Sequence, residues 1–492
     1  MYRSRTHDAL DTATLEFLSS THCDYHLLRY DILGSEAHTI MLHEIGLLST
    51  DNLKKILKVL EEIRRDPASL STEKFEDIHE SIEGHLIAKL GYEIGGRLQT
   101  ARSRNDQVVL DTHMMIRDRI NIISKAIILL IDLLLSKSND YTTSVMPMYT
   151  HLQHAQIGTF SHFLLSYTDL LFRDLDRLNA TYTRINKSSL GACAIGGSSI
   201  NIDRNRTALL LGFEGIINNS VDATSARDAV VEFVASLSII MLTLSRIAED
   251  FIIWSTAEFG YIEIPDKYSS TSSLMPQKKN PDTLELIRAK ASSVSGSLIT
   301  IISIINSLPS GYSRDFQDIK PELIKTSSTV LDTLEVMKDI IQDLSINRKR
   351  MREAANNSYA ISVDIAEQLV SIKGISFRTA HNIVGSLVKK AVSKDKIPMS
   401  KLKEQDVQEV LATTNVSLKP QELLRIIQEL TPDKSLQLRI SLGSPNMQQQ
   451  RQNIPIQAER LKEYEENISK RAGDVNSAFH NLSQIVKNYI AN

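Results

Sequence analysis

Four long stretches of this sequence contain neither glycine nor proline: residues 97–146, 159–190, 216–259 and 322–373. Glycine and proline are the residues that most often interrupt a helix, because glycine costs backbone entropy and proline lacks the N–H that a helix interior needs. Each stretch is long enough for a helix well above the usual length of about 12 residues. The sequence therefore favours a fold built from long helices.

Apolar residues inside the third stretch recur at alternating spacings of four and three, and a shorter seam of the same kind lies in the first stretch. This spacing places the side chains on one face of a helix. Aromatic residues make up 5% of the chain and hydrophobic residues 42%, which favours an aliphatic helical core over a β-sandwich. We predict an all-α fold with a long central helical bundle. The seam residues are Val230, Val234, Leu237, Met241, Leu244, Ala248 and Phe251, with Ile123, Ile127, Leu130 and Leu134 in the shorter seam.

At 492 residues the chain exceeds the size at which one hydrophobic core usually stops growing, about 250–300 residues. The first hundred residues combine short helices with turns, including a turn predicted at Gly34 with Ser35 as the N-cap of the next helix. The last part is more polar, and its prolines are predicted to divide it into short helices. We predict an N-terminal helical domain over 1–101, a central long-helix domain over 102–356 and a small C-terminal helical domain over 357–492. The dividing prolines are Pro398, Pro420, Pro432, Pro445 and Pro455.

Charge and cysteine content narrow the classes of function. The formal net charge of −3 and the lack of long runs of like charge argue against a nucleic-acid-binding protein. Cys23 and Cys193 form neither a disulfide framework nor a zinc motif, which fits a reducing cytoplasm. The first residues lack the apolar segment of a signal peptide, and apolar runs such as 126–135 are too short to span a bilayer. We expect a cytoplasmic protein without a nucleic-acid or membrane partner.

A serine-rich segment, residues 268–288, contains the most informative polar cluster. Four serines and a threonine at 269–273 are expected to form a mobile polar loop, because their hydroxyls compete for nearby backbone hydrogen bonds. A helix should follow, with Asn280 as its N-cap and Pro281 at its first position. Hydroxyls, two lysines and a helix N-terminus together suit an anion such as a carboxylate or phosphate. A serine-rich surface turn before a capped helix is the alternative.

Residues 100–107, T-A-R-S-R-N-D-Q, form a second polar cluster. Arg102 and Arg104 could bind a carboxylate through their planar guanidinium groups, while Asn105 donates an amide. The alternative is a solvated helix start capped by Ser103.

Residues 147–156, P-M-Y-T-H-L-Q-H-A-Q, place His151 and His154 three positions apart. On a helix that spacing would put both imidazoles on one face, as in some metal sites. No cysteine or carboxylate accompanies them, so we predict no metal site. A hydrogen-bonded core histidine is the alternative.

Several of these segments resemble one enzyme superfamily. Residues 272–281, S-S-L-M-P-Q-K-K-N-P, closely resemble the signature loop of the fumarase/aspartase superfamily, in the Gln-Lys-Lys form typical of argininosuccinate lyases. S-R-N-D-Q at 103–107 and Y-T-H-L-Q at 149–153 resemble two further motifs of that family, in its order and at its spacing. Residues 308–320, L-P-S-G-Y-S-R-D-F-Q-D-I-K, are similar to another of its substrate-binding stretches.

The resemblance implies a three-domain fold of the fumarase/aspartase type. It also implies a homotetramer in which each active site combines motifs from three subunits. The implied reaction is reversible anti β-elimination of argininosuccinate to arginine and fumarate, a step of arginine biosynthesis and the urea cycle. It implies no metal and no cofactor.

Resemblance further assigns roles to individual residues of the serine-rich segment. Ser272 is the base that removes a proton beside a carboxylate, and it must be activated because a free hydroxyl is a weak base. The product of that step is an aci-carboxylate with two negative charges. Lys278 and Asn280 are the groups that stabilise it.

The departing guanidino nitrogen needs a proton, since it would otherwise leave as a strongly basic anion. By resemblance His151 is the acid, oriented by Thr150 and paired with Glu285. His79 lies near the site. The remaining substrate-binding positions that the resemblance implies are Ser20, Asp24, Ser103, Arg104, Asn105, Tyr312, Gln317 and Lys320.

Two alternatives stay open. Fumarases and adenylosuccinate lyases share the fold and the S-S-x-M-P loop, but their residues after the proline differ from Gln277, Lys278 and Lys279. A non-catalytic, crystallin-like structural protein would be favoured by the loss of His151 or Ser272, and both are present.

Overall fold

The computed structural model describes residues 10–72 and 75–491. Residues 1–9, on which the prediction of an absent signal peptide rests, lie outside the described residues. The described part is mainly helical and contains three antiparallel sheets of two strands each. The strands are β1 Val145–Thr150, β2 Gln153–Thr159, β3 Ile262–Glu263, β4 Ser270–Thr271, β5 Lys279–Asn280 and β6 Ser345–Ile346; the pairs are β1 with β2, β3 with β6, and β4 with β5.

Short helices alternate with turns at the N-terminus, and the longest bundle helices follow. The N-terminal helices are α1 Thr12–Leu18, α2 Thr21–Asp24, α3 Leu28–Glu44, α4 Thr50–Arg65, α5 Ile78–Leu90 and α6 Tyr92–Gly95. The central helices are α7 Arg104–Asp140, α8 Phe160–Ile185, α9 Arg204–Leu210, α10 Ser220–Ser225, α11 Asp228–Ser255, α12 Asp282–Ile305 and α13 Ile319–Asp343. The C-terminal helices are α14 Arg348–Asn357, α15 Ser362–Lys373, α16 Phe377–Ser393, α17 Glu404–Leu411, α18 Pro420–Glu429, α19 Pro432–Leu438 and α20 Met447–Ala491.

The five long central helices α7, α8, α11, α12 and α13 pack against one another as a bundle. The first three glycine- and proline-free stretches each contain a long helix, and the fourth contains α13 from residue 322 onward; α7 alone has 37 residues. All residues of both predicted apolar seams are fully buried in the core. The prediction of an all-α fold with a long central bundle is confirmed.

Helix α11 is long and apolar enough, by length and composition alone, to cross a membrane, and it is the one such helix among the described residues. Its most apolar window has a mean hydropathy of 1.8, yet 61% of that window is buried inside the protein. The buried side chains pack against α8, α12 and α13. These contacts identify α11 as a core helix of the bundle.

The turn predicted at Gly34 is wrong. Helix α3 runs without interruption through Gly34 and Ser35. A Cβ atom at Gly34 would lie 2.8 Å from Leu110 Cδ2, so the glycine permits a close approach between α3 and α7. Tertiary packing explains the glycine here, and no change of chain direction is needed.

The C-terminal region contains a second hydrophobic core. It is formed by buried residues of α14 to α19 with Val145 and Ile157 of the β1–β2 hairpin. Helix α20 packs instead on α7 and α4. The division into domains at 101 and 356 stays a prediction. Helix α20 belongs to the predicted C-terminal domain by sequence, but it packs on helices of the other two predicted domains. Four buried residues of α20 belong to the core of the bundle: Leu461, Ile468, Leu482 and Val486.

The prediction that Pro455 separates short helices is also wrong, because Pro455 lies inside the 45-residue helix α20. A proline in a helix interior costs about 3 kcal/mol, since it removes one backbone hydrogen bond and crowds the preceding turn. Buried contacts on both sides of it offset that cost. Thr159 Oγ1 donates to Gln450 Oε1 at 2.9 Å, and Thr168 Oγ1 donates to Gln457 Oε1.

Candidate active site

Lys320, in the first turn of α13, contacts two predicted substrate-binding residues from the start of the chain. Its ammonium donates to Ser20 Oγ at 3.0 Å and to the carboxylate of Asp24. Ser20 Oγ in turn donates to Asp24 Oδ2 at 2.6 Å, and all three side chains are buried. We call these residues the Lys320 cluster. An ammonium has three N–H groups, and two are used by described residues, so one is left for a ligand.

Arg104 is held by acidic residues that precede α5, and one of them, Glu76, links it to the Lys320 cluster, because its carbonyl oxygen accepts the backbone N–H of Ser20 at 2.9 Å. Its NH1 is 3.0 Å from Asp77 Oδ2 and 3.5 Å from Glu76 Oε2. Arg314 donates to the same Glu76 oxygen at 2.9 Å. Burial alone would raise the pKa of Glu76, but Arg314 and Arg104 lower it below its ordinary value. The two guanidinium groups and Glu76 therefore form a charged network at this end of the bundle.

The segment before α13 contributes two more predicted residues. Gln317 Nε2 donates to the carbonyl oxygen of Leu18 at 3.0 Å, next to the Lys320 cluster. The ring of Tyr312 stacks edge-to-face on Phe316, with the centroids 6.0 Å apart. These contacts fix the segment that leads into Lys320.

Ser103 caps the N-terminus of α7. Its Oγ accepts the backbone N–H of Asn105 at 3.3 Å, and its own backbone N–H donates to Asp106 Oδ1 at 3.1 Å. Asn105 Nδ2 donates to the carbonyl oxygen of Ala194 at 2.9 Å. The prediction of a helix start capped by Ser103 is confirmed, and the substrate-binding roles of Ser103 and Asn105 stay predictions.

His79, in the first turn of α5, is buried beside two carboxyl groups that the sequence did not single out. Its Nδ1 is 2.5 Å from Asp31 Oδ2 and 3.5 Å from Asp111 Oδ2. Histidine and aspartate are common metal ligands, but two ligands of one ion, each about 2.1 Å from it, lie roughly 3 Å apart or more. The 2.5 Å contact is therefore a charge-assisted hydrogen bond. Both aspartates lie within long helices, and a single acidic residue in a helix forms no recognisable sequence motif.

Thr150 and His151 lie at the tip of the hairpin formed by β1 and β2, which we call the His151 hairpin. His151 and Leu152 have φ values of 55° and 56°, as in a two-residue type I′ turn. The helical arrangement considered for His151 and His154 is not the one found, because the segment forms paired strands. His151 is exposed at the turn.

Ser272 lies in a second hairpin, residues 270–280, which we call the Ser272 hairpin. Backbone pairing joins Ser270 to Asn280 and Thr271 to Lys279. The segment predicted as a mobile polar loop is therefore part of a hairpin, because the two paired segments satisfy each other's backbone groups. Asn280 belongs to strand β5 and does not cap a helix; α12 begins at Asp282, directly after Pro281. Ser272 Oγ accepts the backbone N–H groups of Leu274 at 3.2 Å and Met275 at 3.0 Å.

The two lysines of the Ser272 hairpin differ in their contacts. Lys279 Nζ lies 2.6 Å from Asp266 Oδ1 and 3.2 Å from Glu263 Oε1. The hydrogen bond to Asp266 raises the pKa of Lys279 above its ordinary value. Lys278 is exposed, and its ammonium forms no ion pair or hydrogen bond with any described residue. Lys278 is therefore the lysine whose charge is available to a ligand.

Glu285 is exposed in the first turn of α12, and within one protomer it forms no ion pair with His151 among the described residues. Nor does any hydrogen bond or ion pair of those residues join the Lys320 cluster, the His151 hairpin and the Ser272 hairpin to one another. The structure thus presents the predicted site residues in three separate groups.

Comparison with known proteins places this arrangement in a family. Residues 4–296 match a family model described as Lyase, and residues 359–435 match one described as Argininosuccinate lyase C-terminal. An argininosuccinate lyase of Nitrosopumilus maritimus (strain SCM1) is 44% identical over 490 residues, which cover 100% of each chain. The chain belongs to the argininosuccinate lyase family. A second argininosuccinate lyase, from Methanocaldococcus jannaschii, is 38% identical over 96% of this chain and 97% of the relative.

Solved structures agree with membership of the argininosuccinate lyase family. An EDDS lyase in complex with formate superposes with a TM-score of 0.87 at 28% identity, covering 98% of this chain and 95% of the other. A class II fumarase from Schistosoma mansoni has a TM-score of 0.69 at 16% identity, covering 87% and 96%, and shares the fold alone. As a member of the argininosuccinate lyase family, the protein is a carbon–nitrogen lyase.

Proposed function

We propose that this protein catalyses the reversible anti β-elimination of argininosuccinate to arginine and fumarate, as a cytoplasmic homotetramer. The observation that carries the proposal is the Ser272 hairpin. It combines a hydroxyl that accepts two backbone N–H groups, a lysine with no ion-pair partner among the described residues, and an amide side chain within nine residues. Family membership and the curated names of the relatives support the choice of substrate.

Ser272 is the proposed base, which takes the proton from the carbon beside a carboxylate of the substrate. A serine hydroxyl must be stabilised as its anion for this role. The N–H groups of Leu274 and Met275 point at Ser272 Oγ, and their partial positive charges favour the deprotonated oxygen.

Removal of that proton places two negative charges on the neighbouring carboxylate. Lys278 and Asn280 are the proposed partners of this group. The ammonium of Lys278 has no competing carboxylate among the described residues, so the developing charge does not have to displace one. Within the described part of the chain, Asn280 Nδ2 makes a single long contact, 3.4 Å, with Ser270 Oγ, and it is therefore also available.

The electron pair of the carbanion forms the double bond of fumarate while the carbon–nitrogen bond breaks. The departing guanidino nitrogen must gain a proton in this step. His151 is the proposed donor, with Thr150 and Glu285 as its orienting partners. The exposed tip of the His151 hairpin, with both turn residues in the left-handed region, suits a group that acts outside its own protomer.

The Lys320 cluster and its surroundings are the proposed site for the remaining carboxylates and polar groups of the substrate. Lys320 has one N–H that no described residue uses, and Glu76 links Arg104 to the same region. Arginine and lysine are suited to binding carboxylates. The other proposed contacts in this region are Ser20, Asp24, His79, Ser103, Asn105, Tyr312 and Gln317.

Assembly into a tetramer would bring the three groups together. The protomer exposes large apolar side chains on its long helices, among them Leu242 of α11 at 55% and Ile299 of α12 at 65%. Exposed apolar residues on bundle helices favour burial against another copy of the chain. A homotetramer with active sites shared between subunits would account for both the separation of the three groups and the exposed apolar side chains.

A substrate panel tests the proposed function. Purified protein is incubated with argininosuccinate, adenylosuccinate, malate or aspartate, and fumarate release is followed by absorbance. We expect turnover with argininosuccinate alone, and none from a Ser272→Ala protein prepared in the same way. Turnover of adenylosuccinate or malate without turnover of argininosuccinate would instead identify a sister lyase, and no turnover of any of them would favour a structural protein.

A further inference from the structure

A buried network surrounds His79 and extends beyond the residues that resemblance assigns to the site. The Nδ1 of His79 lies 2.5 Å from Asp31 Oδ2, and the two side chains are 1% and 0% exposed. The Nε2 of His79 is buried as well, but it has no hydrogen-bond partner among the described residues. The ring is thus held by one nitrogen, and the other is left for a group that the described part of the protomer does not supply.

Asp31 is a well-satisfied carboxylate. Gln107 Nε2 donates to both of its oxygens, at 2.9 Å each, and Ser35 Oγ donates to Oδ1 at 3.0 Å. Donors of this kind favour the ionised form of a carboxyl group. Burial alone would raise the pKa of Asp31, but His79, Arg102 and the Gln107 donor lower it below its ordinary value.

Asp111 faces the same ring from α7 in a different environment. Its Oδ2 is 3.5 Å from His79 Nδ1, and neither of its oxygens has a hydrogen-bond partner among the described residues. A buried charge without such partners is costly. Burial, together with the charge of Asp31, raises the pKa of Asp111 well above its ordinary value. The donors around Asp31 therefore favour its ionised form, whereas the lack of such donors among the described residues disfavours ionisation of Asp111.

Other charged groups act on the same network. Asp77, the N-cap of α5, adds negative charge near the ring, and Arg102 NH1 donates to Ser35 Oγ at 3.0 Å. Burial alone would lower the pKa of His79, but Asp31, Asp77 and Asp111 raise it to about 9. Both ring nitrogens therefore carry a hydrogen at neutral pH.

His79 also adjoins the Lys320 cluster. The backbone N–H of Ile78, its neighbour in the chain, donates to Asp24 Oδ2 at 3.4 Å, and Asp24 binds Lys320. We propose that Asp31 is a positioning residue, which holds His79 by its Nδ1–H so that the Nε2–H is presented to a carboxylate of the bound substrate. The proposal rests on the proposed function, because argininosuccinate supplies the carboxylates.

Titration of His79 by NMR, in the full-length protein labelled at histidine Cε1, tests whether Asp31 holds His79 in its charged form. A His79→Gln protein identifies the resonance. Asp31→Asn preserves the shape of the side chain and removes its charge. Asp111→Asn is the matched control, because it removes a carboxyl group next to the same ring that has no hydrogen-bond partner among the described residues.

We expect His79 to stay charged between about pH 6 and 8 in the wild type and in Asp111→Asn, and to be neutral at about pH 7 in Asp31→Asn. A neutral His79 in the wild type at that pH overturns the proposal, and this measurement requires no variant to fold. A His79 that stays charged in Asp31→Asn overturns it as well.

Steady-state kinetics test whether the Nε2–H of His79 binds a carboxylate of the substrate. In Asp31→Asn we expect the KM for argininosuccinate and the inhibition constant of fumarate to rise at least about tenfold, because a charge-assisted hydrogen bond is lost, with a smaller decrease in kcat. Asp31→Glu, which retains the charge, should recover part of the loss. An unchanged KM in an Asp31→Asn protein with a neutral His79 contradicts the role of Nε2–H. If the wild type does not cleave argininosuccinate, the proposed function itself fails, whereas the titration still reports whether Asp31 sets the charge of His79.

Discussion

Replacing Lys278 by methionine tests whether the two adjacent lysines of the Ser272 hairpin have different roles. Methionine keeps an unbranched apolar stem and removes the charge. Lys278 is exposed and pairs with no described residue, so we expect the free energy of unfolding to change by less than about 0.5 kcal/mol. The control, Lys279→Met, removes the contacts to Asp266 and Glu263 but leaves Lys278 in place.

The expected effect on function follows from the charge that Lys278 offers to the substrate. A hydrogen bond to a charged group contributes about 1.5–3 kcal/mol. Its loss should weaken fumarate binding about 10- to 150-fold. Because the carboxylate gains charge in the transition state, kcat should also fall, by about 100- to 1000-fold. In Lys279→Met, which removes only exposed ion pairs, fumarate binding should change by less than about threefold.

The assay combines steady-state kinetics with argininosuccinate, inhibition by fumarate, and denaturation of each variant. Loss of fumarate binding in Lys279→Met, together with unchanged binding in Lys278→Met, would refute the assignment and identify Lys279 as the anchor. Equal losses in both variants, accompanied by unfolding, would show that the hairpin itself is disrupted.

Two further predictions concern Ser272 and Gly95. Ser272→Ala should lower kcat more than tenfold, which corresponds to about 1.4 kcal/mol or more. Fumarate should still bind, and the fold should persist. Retention of more than a tenth of wild-type kcat would exclude Ser272 as the base. Gly95→Ala should destabilise the protein by about 1–3 kcal/mol in denaturation experiments, because overpacking is costly. The added Cβ would lie 2.7 Å from the backbone N of Ile87, which cannot move aside; Gly34→Ala, whose Cβ would meet the movable side chain of Leu110, should cost less.

The long helices were predictable because the sequence features that produce a helix lie within the helix itself. The absence of glycine and proline and the repeat of apolar residues both lie within a single helix, and residues such as Val234 and Leu244 are buried as that pattern requires. The turn at Gly34 was predicted wrongly for the opposite reason. Its glycine accommodates a neighbouring helix, and that contact depends on residues about 75 positions away in the chain.

The two hairpins of the candidate site were also not predictable, because they too depend on contacts between separate segments of the chain. Strand β4 has two residues, Ser270 and Thr271, and its pairing with Lys279 and Asn280 leaves no periodic pattern in the sequence. The motif strings identified the family of both hairpins, but they did not reveal their backbone conformation. Propensities for turns and helix caps describe single segments, whereas these structures depend on pairing between segments.

The buried charges were the least predictable part. Asp31 and Asp111 are single acidic residues within helices, and the sequence contains nothing that separates them from exposed ones. Only the packing of α3, α5 and α7 brings both to one imidazole. Burial raises the pKa of Asp111, whereas the pKa of Asp31 is lowered by His79, Arg102 and the Gln107 donor; no such hydrogen-bond donor reaches Asp111 among the described residues.

The central claim is that each active site is assembled from different copies of the chain, and mixed refolding tests it most directly. We expect His151→Asn and Ser272→Ala proteins each to be inactive alone, since every site contains the lesion. When equal amounts are unfolded and refolded together, a site is intact if its His151 hairpin comes from a Ser272→Ala chain and its Ser272 hairpin from a His151→Asn chain. Random assembly therefore predicts recovery of about a quarter of wild-type activity. No gain over the separately refolded variants, with mixed tetramers confirmed by mass, would mean that each site is built within one chain.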